Sequence, residues 1–164
     1  MGMRTRRTLE VSANLLILVF GLVGAYSYVS KYLDQHRMYL HAGDRAPALD
    51  GFSWAAHKRN VLLVLSDGCE YCEKSAPFYR RLATLQGTKD GFSLSAMVPQ
   101  GKAVANSMLA RLGLNVPIAA GAKFVKIRGT PTVFLINEHG YIEKVWMGAL
   151  SKQGEEDVLK ALSM

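Results

Sequence analysis

Cysteine is scarce in this chain, and its scarcity excludes a disulfide-stapled fold. Only two of the 164 residues are cysteine, Cys69 and Cys72, whereas a small disulfide scaffold carries about four to eight. The sequence has no second cysteine pair, and its four histidines are scattered without ligand spacing, so we expect no metal site. The two cysteines are separated by two residues, and this spacing is the main indication of chemistry.

Basic runs interleaved with aromatic residues are missing too, so we expect no nucleic-acid partner. The net charge of +7 at pH 7 would by itself suit an anionic partner. However, residues 1–42 contain five basic and two acidic residues, which leaves 15 basic and 11 acidic residues for residues 43–164. The larger part of the chain is therefore only mildly basic. A hydrophobic fraction of 49% also excludes an intrinsically disordered chain.

One long apolar segment, residues 11–29, contains no Asp, Glu, Lys or Arg. As a helix it is about 28 Å long, which matches the hydrocarbon core of a bilayer, so we predict a transmembrane signal-anchor helix. Arg4, Arg6 and Arg7 precede it, and the positive-inside rule then places residues 1–10 in the cytoplasm. The rest of the chain is expected on the periplasmic, or extracytoplasmic, side of the cytoplasmic (inner) membrane.

Cleavage of this segment as an export signal is the alternative. Val23, Gly24 and Ala25 include the small residues that a signal peptidase needs. The apolar segment is longer than the roughly 7 to 15 residues of a cleaved signal, so we favour retention. The pair Arg6 and Arg7 loosely resembles a twin-arginine export signal, and we interpret it as a topology signal only.

The pattern after residue 29 predicts a short linker, residues 30–42, followed by one folded domain, residues 43–164. Strands and helices alternate along this domain. In chain order, the predicted elements are a buried strand at 61–65, a helix at 69–86, a strand at 92–98, a helix at 104–112, a hairpin of strands at 132–137 and 141–147, and a helix at 152–162. Together they predict an α/β fold in which one sheet is flanked by helices. Pro77 is expected to bend the first helix of the domain, and Gly87 to end it.

The segment Cys69-Glu70-Tyr71-Cys72 directly follows the buried strand and starts a predicted helix. Cysteines at positions i and i+3 lie on one side of the first helical turn, close enough to form a disulfide. The N-terminus of the helix stabilises a thiolate on the first of them. We therefore predict a redox-active pair, in which Cys69 forms a mixed disulfide with a partner protein and Cys72 resolves it.

Two other interpretations of the cysteine pair are weaker. Half of a zinc site would need a second pair of ligands with suitable spacing, which the sequence lacks. A purely structural disulfide between these positions would close a loop of only four residues, and so short a loop constrains the unfolded chain little.

Three further landmarks, in the expected order, make the chain resemble the thioredoxin superfamily. Pro77 stands five residues after Cys72, where thioredoxins carry a helix-kinking proline. Residues 126–132 (KIRGTPT) resemble the thioredoxin segment that ends in a cis-proline. Residues 148–152 (GALSK) resemble the stretch that leads into the last helix. The resemblance implies a thioredoxin-like fold for the predicted α/β domain.

The same resemblance implies a second part of the site, away from the cysteines in sequence. Pro131 would be cis and would face Cys69, and the backbone at Thr130 would pair with an extended segment of the substrate. Only about 5–6% of X-Pro bonds in folded proteins are cis, so such a bond is a specific expectation. The alternative is a proline that merely opens a strand.

Within the superfamily the chain is most similar to TlpA-like and ResA-like proteins. The similar features are the N-terminal anchor, the turn at 43–47, the extra strand and helix between residues 88 and 120, and the segment PTVFLINEHGYI. Those proteins are membrane-anchored, extracytoplasmic thiol-disulfide oxidoreductases, and several act as reductants in cytochrome c maturation or on other exported proteins. The resemblance covers residues 43–162. It implies a disulfide-containing extracytoplasmic protein as substrate, a membrane protein as electron donor, and no cofactor.

Two residues depart from the family pattern. Gly68 precedes Cys69 where the family usually has tryptophan, and Leu63 occupies the strand position where thioredoxins bury an aspartate that assists the resolving cysteine. No residue that replaces this aspartate is identifiable from the sequence. Glu70 is a candidate proton relay, and the alternative is an ordinary solvated carboxylate at the start of a helix.

Acidic residues near Cys69 are expected to oppose its thiolate. Asp67, Glu70 and Glu73 lie within four positions of it, and Lys74 offsets their charge only in part. A less stable thiolate favours the disulfide over the reduced pair, and this predicts a reducing enzyme.

Two other functions compete with a disulfide reductase. Thiol peroxidases of related fold carry Thr or Ser three residues before the reactive cysteine, and Ser66 fits, but the proline expected four residues earlier is absent because that residue is Leu62. A thioredoxin fold can also work without catalysis, as an assembly or binding module or in copper delivery. Copper-delivery relatives usually separate their cysteines by three residues, which argues against that variant.

Overall fold

The computed structural model describes residues 3–37, 39–50, 52–86, 91–119 and 127–163. The chain divides into two units, Met1–Tyr39 and Leu40–Met164. In the first unit, helix α1 (Met3–Arg37) is continuous over 35 residues. Its stretch Asn14–Tyr32, with a mean hydropathy of 1.5, is long and apolar enough to cross a membrane. The predicted span at residues 11–29 overlaps this stretch, and the helix continues into the residues predicted as a linker.

The second unit is built on a mixed four-stranded sheet with the order β2-β1-β3-β4. The strands are β1 (Arg59–Val64), β2 (Ser93–Met97), β3 (Thr132–Asn137) and β4 (Ile142–Met147). Strand β1 pairs parallel with β2 and antiparallel with β3, and β3 pairs antiparallel with β4. Each strand begins and ends within two residues of its predicted position, so the strand predictions are confirmed.

Strand β1 is the core of this sheet because both of its faces are covered. The side chains from Val61 to Leu65 are at most 1% exposed. Val61, Leu63 and Leu65 belong to one core cluster, while Leu62 and Val64 belong to another. This alternation follows from the period of two in a strand, and it explains why a two-sided buried strand has a continuous apolar sequence.

Helices cover the sheet. They are α2 (Glu70–Lys74), α3 (Ala76–Leu85), α4 (Lys102–Leu112) and α5 (Lys152–Ser163), with a short 3-10 helix at Trp54–Ala56. Buried side chains of α3, α4 and α5 join the first core cluster. In the second cluster, Ala46 and Leu49 from the segment before β1 pack with Phe134 and Ile136 of β3. The α/β prediction, one sheet flanked by helices, is confirmed.

The predicted helix at 69–86 is divided in two at Ser75. Proline has no N–H for the helical ladder and its ring crowds the carbonyl four residues earlier. Pro77 therefore fits only in the first turn of a new helix, and it lies there, in the first turn of α3. Phe78 and Leu82 of the predicted apolar face are buried, whereas Leu85 is 36% exposed. The predicted helix end at Gly87 lies outside the described residues.

The last two helices end and begin where their capping residues predict. Gly113 follows α4 with a φ of 66°, the left-handed conformation of a helix C-cap. Ser151 precedes α5, and its Oγ accepts a hydrogen bond from the backbone N–H of Gly154 at 3.3 Å. That contact satisfies one of the free N–H groups in the first turn of the helix.

Candidate active site

A tight turn at the end of β1 carries the cysteine pair. Gly68 has a φ of 72°, a left-handed conformation that residues with a side chain adopt only at a cost. The turn places Cys69 at the N-cap of α2. The family that the chain resembles usually has tryptophan at position 68. Glycine at this position suits the left-handed backbone that leads into the site.

Cys69 and Cys72 form a disulfide across the first turn of α2, with their Cα atoms 5.2 Å apart. The backbone N–H of Cys72 donates to Sγ of Cys69 at 3.1 Å. An N–H donor aimed at a sulfur favours negative charge on that sulfur, which is the charge that a nucleophilic thiolate carries. The local hydrogen bond provides this effect, since α2 has only five residues.

The two sulfur-bearing residues differ sharply in burial. Cys72 is completely buried, at 0% exposure, and belongs to the main core cluster. Cys69 is partly exposed and packs at the edge of the same cluster. In this conformation Cys69 is therefore the cysteine that a protein substrate can approach, and Cys72 is not. This asymmetry supports the roles assigned from the sequence, Cys69 as the attacking residue and Cys72 as the resolving residue.

The backbone that leads into β3 lies against the cysteine pair. The carbonyl oxygen of Thr130 is 3.5 Å from Sγ of Cys69. The Thr130–Pro131 peptide bond is cis, and Pro131 is buried. Two hydrogen bonds hold this segment: Gly148 N–H donates to the Pro131 carbonyl at 2.8 Å, and Thr132 Oγ1 donates to the Gly129 carbonyl at 2.7 Å. The structure therefore brings Thr130 and Pro131 to Cys69, and Lys126, the first residue of the predicted segment, lies outside the described residues.

Two of the acidic residues near Cys69 share one basic partner, which no pattern in the sequence indicates. Arg111 of α4 lies with Nη2 2.6 Å from Oδ1 of Asp67 and with Nε 3.7 Å from Oε1 of Glu73. The hydrogen bond from Arg111 holds the pKa of Asp67 below its ordinary value, and the same bond raises the pKa of Arg111. Arg111 and Asp67 are 44 positions apart, so no local pattern relates them.

The candidate proton relay, Glu70, is paired on the surface. Its Oε1 lies 2.7 Å from Nζ of Lys74, one helical turn further along, and its side chain is 73% exposed. This is an ordinary i,i+4 ion pair on an exposed helix face. A proton-relay role for Glu70 stays a prediction.

No carboxylate is buried within the part of the chain that the structure describes. The buried polar side chains there are Asn60, Ser75, Ser93, Ser95 and Thr132. Leu63 is completely buried in the same cluster as Cys72.

Burial raises the pKa of Tyr79 to about 12, against the opposing effect of a hydrogen bond with Ser75. Tyr79 therefore stays protonated at neutral pH and cannot act as a base in place of the aspartate that thioredoxins bury.

Ser66, the residue that would fit a thiol peroxidase, is engaged with its neighbours. Its Oγ accepts a hydrogen bond from Nε2 of Gln100 at 2.8 Å and donates to the carbonyl of Asp67 at 3.4 Å. These contacts give no particular support to a peroxidase.

Among the described residues, no group of three or more His, Cys, Asp or Glu side chains is placed to hold a metal ion.

Comparison with known families identifies the domain. A family model described as Redoxin matches residues 43–162. This range holds the cysteine pair, the segment around Pro131 and all four strands of the sheet. No curated protein sequence matches the chain significantly.

Solved structures give the same result for the fold. A protein from Chlorobium tepidum named as the thiol:disulfide interchange protein DsbE is 25% identical, with a TM-score of 0.60, over 75% of this chain and 99% of that one. A thiol:disulfide interchange protein from Bacteroides sp. is 17% identical, with a TM-score of 0.59, over 76% and 92% of the two chains. StoA from Bacillus subtilis is 22% identical, with a TM-score of 0.51, over 65% and 83%. The last two likenesses show the fold alone.

Proposed function

The chain belongs to the redoxin family and is a thiol-disulfide oxidoreductase, and from that premise we propose that it is a membrane-anchored reductase of disulfides in exported proteins. The observation that carries this proposal is the Cys69–Cys72 disulfide at the N-terminus of α2, with Cys69 partly exposed and Cys72 buried. Such a pair can take up and release two electrons without any cofactor.

The proposed reaction uses the two sulfurs in sequence. In the reduced protein, the Cys69 thiolate attacks one sulfur of the substrate disulfide, and the other substrate sulfur leaves as a thiolate that takes a proton. The sulfur of Cys72, after losing its proton, then attacks Sγ of Cys69 and releases the second substrate sulfur. The substrate gains two electrons and two protons, and the enzyme ends as the disulfide seen in the structure.

The backbone at Thr130 would hold the substrate during this exchange. Its carbonyl lies 3.5 Å from Sγ of Cys69, so a peptide that pairs with this segment in an extended conformation brings its own sulfur to the nucleophile. Main-chain hydrogen bonds of this kind give affinity without demanding a particular substrate sequence. The substrate class is therefore a disulfide-containing protein rather than a small molecule.

The membrane location rests on helix α1. Its stretch Asn14–Tyr32 has the length and hydropathy of a bilayer span, and Arg4, Arg6 and Arg7 precede it. We propose that residues 1–10 are cytoplasmic and that residues 43–164 act on the extracytoplasmic side. A second membrane protein would then donate the electrons that regenerate the dithiol. Cytochrome c maturation is one process in which such a reductase would act.

Single-cysteine variants of the full chain in detergent test the catalytic proposal. Wild-type protein should accelerate the reduction of insulin by dithiothreitol, and Cys69→Ser should not. Cys72→Ser should trap mixed disulfides with substrate proteins, since its nucleophile remains and its resolving thiol is gone. If wild type and Cys69→Ser gave equal rates of insulin reduction, the protein would instead be a non-catalytic binding module.

The direction of electron flow is tested by the reduction potential of the Cys69/Cys72 couple. A value near or below about −250 mV would support a reductase, because thioredoxin lies near −270 mV. A value above about −150 mV would indicate an oxidase and would refute the reductase proposal. Labelling of intact cells that carry the Cys72→Ser variant with a membrane-impermeant thiol reagent tests the topology, because Cys69 is then the one cysteine of the chain and has no partner in the chain with which to form a disulfide. Labelling only after lysis would place the domain in the cytoplasm.

A further inference from the structure

One side chain from outside the cysteine helix connects the residues on both sides of the nucleophile. Arg111 reaches Asp67, two positions before Cys69, through Nη2 at 2.6 Å, and Glu73, four positions after Cys69, through Nε at 3.7 Å. Different nitrogens make the two contacts, so the planar guanidinium can hold both carboxylates at once. A lysine ammonium has no such fork and would serve two separated carboxylates less well.

We propose that Arg111 is a positioning residue of the thiol-disulfide reaction, which fixes the Cys69 turn against α4 and offsets the negative charge of Asp67 and Glu73. The inference rests on the proposed function, because it takes Cys69 as the nucleophile. The guanidinium contacts the carboxylates of Asp67 and Glu73, and Arg111 acts on Cys69 through them.

The backbone that carries Arg111 is itself held in place. Nη1 of Arg80, on α3, donates to the carbonyl of Leu112 at 2.8 Å, and Leu112 is buried in the main core cluster. Gly113 then ends the helix in a left-handed conformation. Because the neighbouring residue is fixed by packing and by a hydrogen bond, the guanidinium extends toward the cysteine turn from a rigid base.

The charge balance around Cys69 depends on this arginine. The basic residue of α2 itself, Lys74, is already paired with Glu70 at 2.7 Å. Removal of Arg111 would leave the charges of Asp67 and Glu73 without their partner. A thiolate at Cys69 would then be less stable, and less of it would be present at pH 7.

The loss of Arg111 should have two consequences: a slower reaction of Cys69 and a more stable disulfide. Attack by Cys69 should slow, because the thiolate is the nucleophile. The disulfide should become harder to reduce, because a destabilised thiolate destabilises the reduced pair. General damage to the fold would not produce a more stable disulfide, so the combination distinguishes charge balance from a structural defect.

The experiment uses the full chain in detergent with Arg111→Met, Arg111→Lys, the double variant Asp67→Asn/Glu73→Gln, and the triple variant that combines this pair with Arg111→Met. Arg81→Met is the matched control, because Arg81 is also exposed and forms no ion pair within the described residues. Iodoacetamide alkylation across pH is measured in a Cys72→Ser background. The equilibrium constant with glutathione is measured with both cysteines present.

Arg111→Met should lower the alkylation rate at pH 7 about threefold, the effect of one solvent-screened unit charge within a Debye length. Its equilibrium with glutathione should shift toward the disulfide. In both measurements Arg111→Lys should fall between wild type and Arg111→Met, and Arg81→Met should match wild type. The triple variant should recover at least the wild-type rate. An unchanged Arg111→Met profile, or a triple variant as slow as Arg111→Met, would overturn the inference.

These measurements separate this inference from the proposed function, because neither of them needs a protein substrate. If insulin reduction fails while the Arg111 effects are present, only the reductase proposal is refuted. If wild-type protein reduces insulin and Arg111→Met behaves as Arg81→Met, only the role of Arg111 is refuted.

Discussion

The unequal burial of the two cysteines predicts that their reactivities differ by about two orders of magnitude in the reduced, folded protein. The perturbation is a pair of single-cysteine variants of the full chain, Cys72→Ser, which keeps the partly exposed residue, and Cys69→Ser, which keeps the residue with 0% exposure. Each variant has one thiol left, so any alkylation can be assigned to it without ambiguity.

The magnitude follows from what must open before Cys72 can react. Exposure of its side chain requires the turn of α2 to open, which breaks the backbone hydrogen bonds from Cys72 and Glu73 to the Cys69 carbonyl, at 3.0 and 3.2 Å, and from Ser75 to the Tyr71 carbonyl, at 3.1 Å. At a net value of roughly 1 kcal/mol each, these bonds cost about 3 kcal/mol to break. Since about 1.36 kcal/mol corresponds to a factor of ten, the buried thiol should react roughly 100-fold more slowly.

The assay is iodoacetamide alkylation of the reduced variants in detergent, followed by mass spectrometry over time. Cys72→Ser should be modified roughly 100-fold faster than Cys69→Ser under native conditions. In strong denaturant the rates should converge, because both thiols are then fully exposed. Equal rates under native conditions, or faster modification of Cys72, would refute the assignment of Cys69 as the accessible nucleophile.

Three further substitutions test the surroundings of the site. Asp157→Ala should lower stability at pH 7, because the hydrogen bond from Trp146 lowers the pKa of Asp157 below 3.8; the contribution is present above that value and is lost as the pH falls through the lowered pKa, so wild type and variant should converge in acid urea titrations. Leu82→Ala, at a completely buried position, should cost about 2–5 kcal/mol in urea unfolding, and a loss below about 1 kcal/mol would contradict its core packing. Gly68→Ala has open space for its Cβ but a φ of 72°, so it should cost about 1–2 kcal/mol, and a neutral result would show that the turn can relax.

The strands were predictable because their sequence is locally unambiguous. Residues 61–65 are continuously apolar and the hairpin residues 132–137 and 141–147 are apolar runs separated by a short Gly-containing loop, so burial and turn chemistry both favour the observed sheet. Pro77 likewise predicted a disturbance of the cysteine helix. It did not predict the division at Ser75, since a proline in a first helical turn and a proline at a kink leave the same local signal.

The second face of the sheet was less predictable. The segment around Ala46 and Leu49 covers Leu62 and Val64 there, although it has no regular secondary structure to show a periodic apolar pattern. Asn60 is completely buried, with its Oδ1 accepting a 2.7 Å hydrogen bond from Ser93. Polar residues in strands ordinarily indicate an exposed face, whereas here the Nδ2 of Asn60 also donates to the carbonyls of Trp54 and His57, so contacts on several sides satisfy this buried side chain.

Charge near the nucleophile is where sequence and structure lead to different expectations. The sequence places Asp67, Glu70 and Glu73 close to Cys69, with Lys74 as a partial counter-charge, and this predicts a disfavoured thiolate. In the structure each of these acids has a basic partner, because Arg111 arrives from α4. The net local charge is therefore smaller than the sequence indicates, and no pattern within α2 could have revealed it.

The reducing character that we propose would then depend more on Cys72 than on the acids around Cys69. Cys72 lies at 0% exposure beside Leu63, and no carboxylate is buried within the described ranges. An apolar, water-excluded site disfavours a thiolate there, so the second proton of the dithiol is held firmly and leaves only when the turn opens or a proton acceptor approaches. Attack on the substrate can be fast while release of the reduced product is slow. Mixed disulfides should therefore accumulate in the wild-type enzyme during turnover, to a smaller extent than in Cys72→Ser.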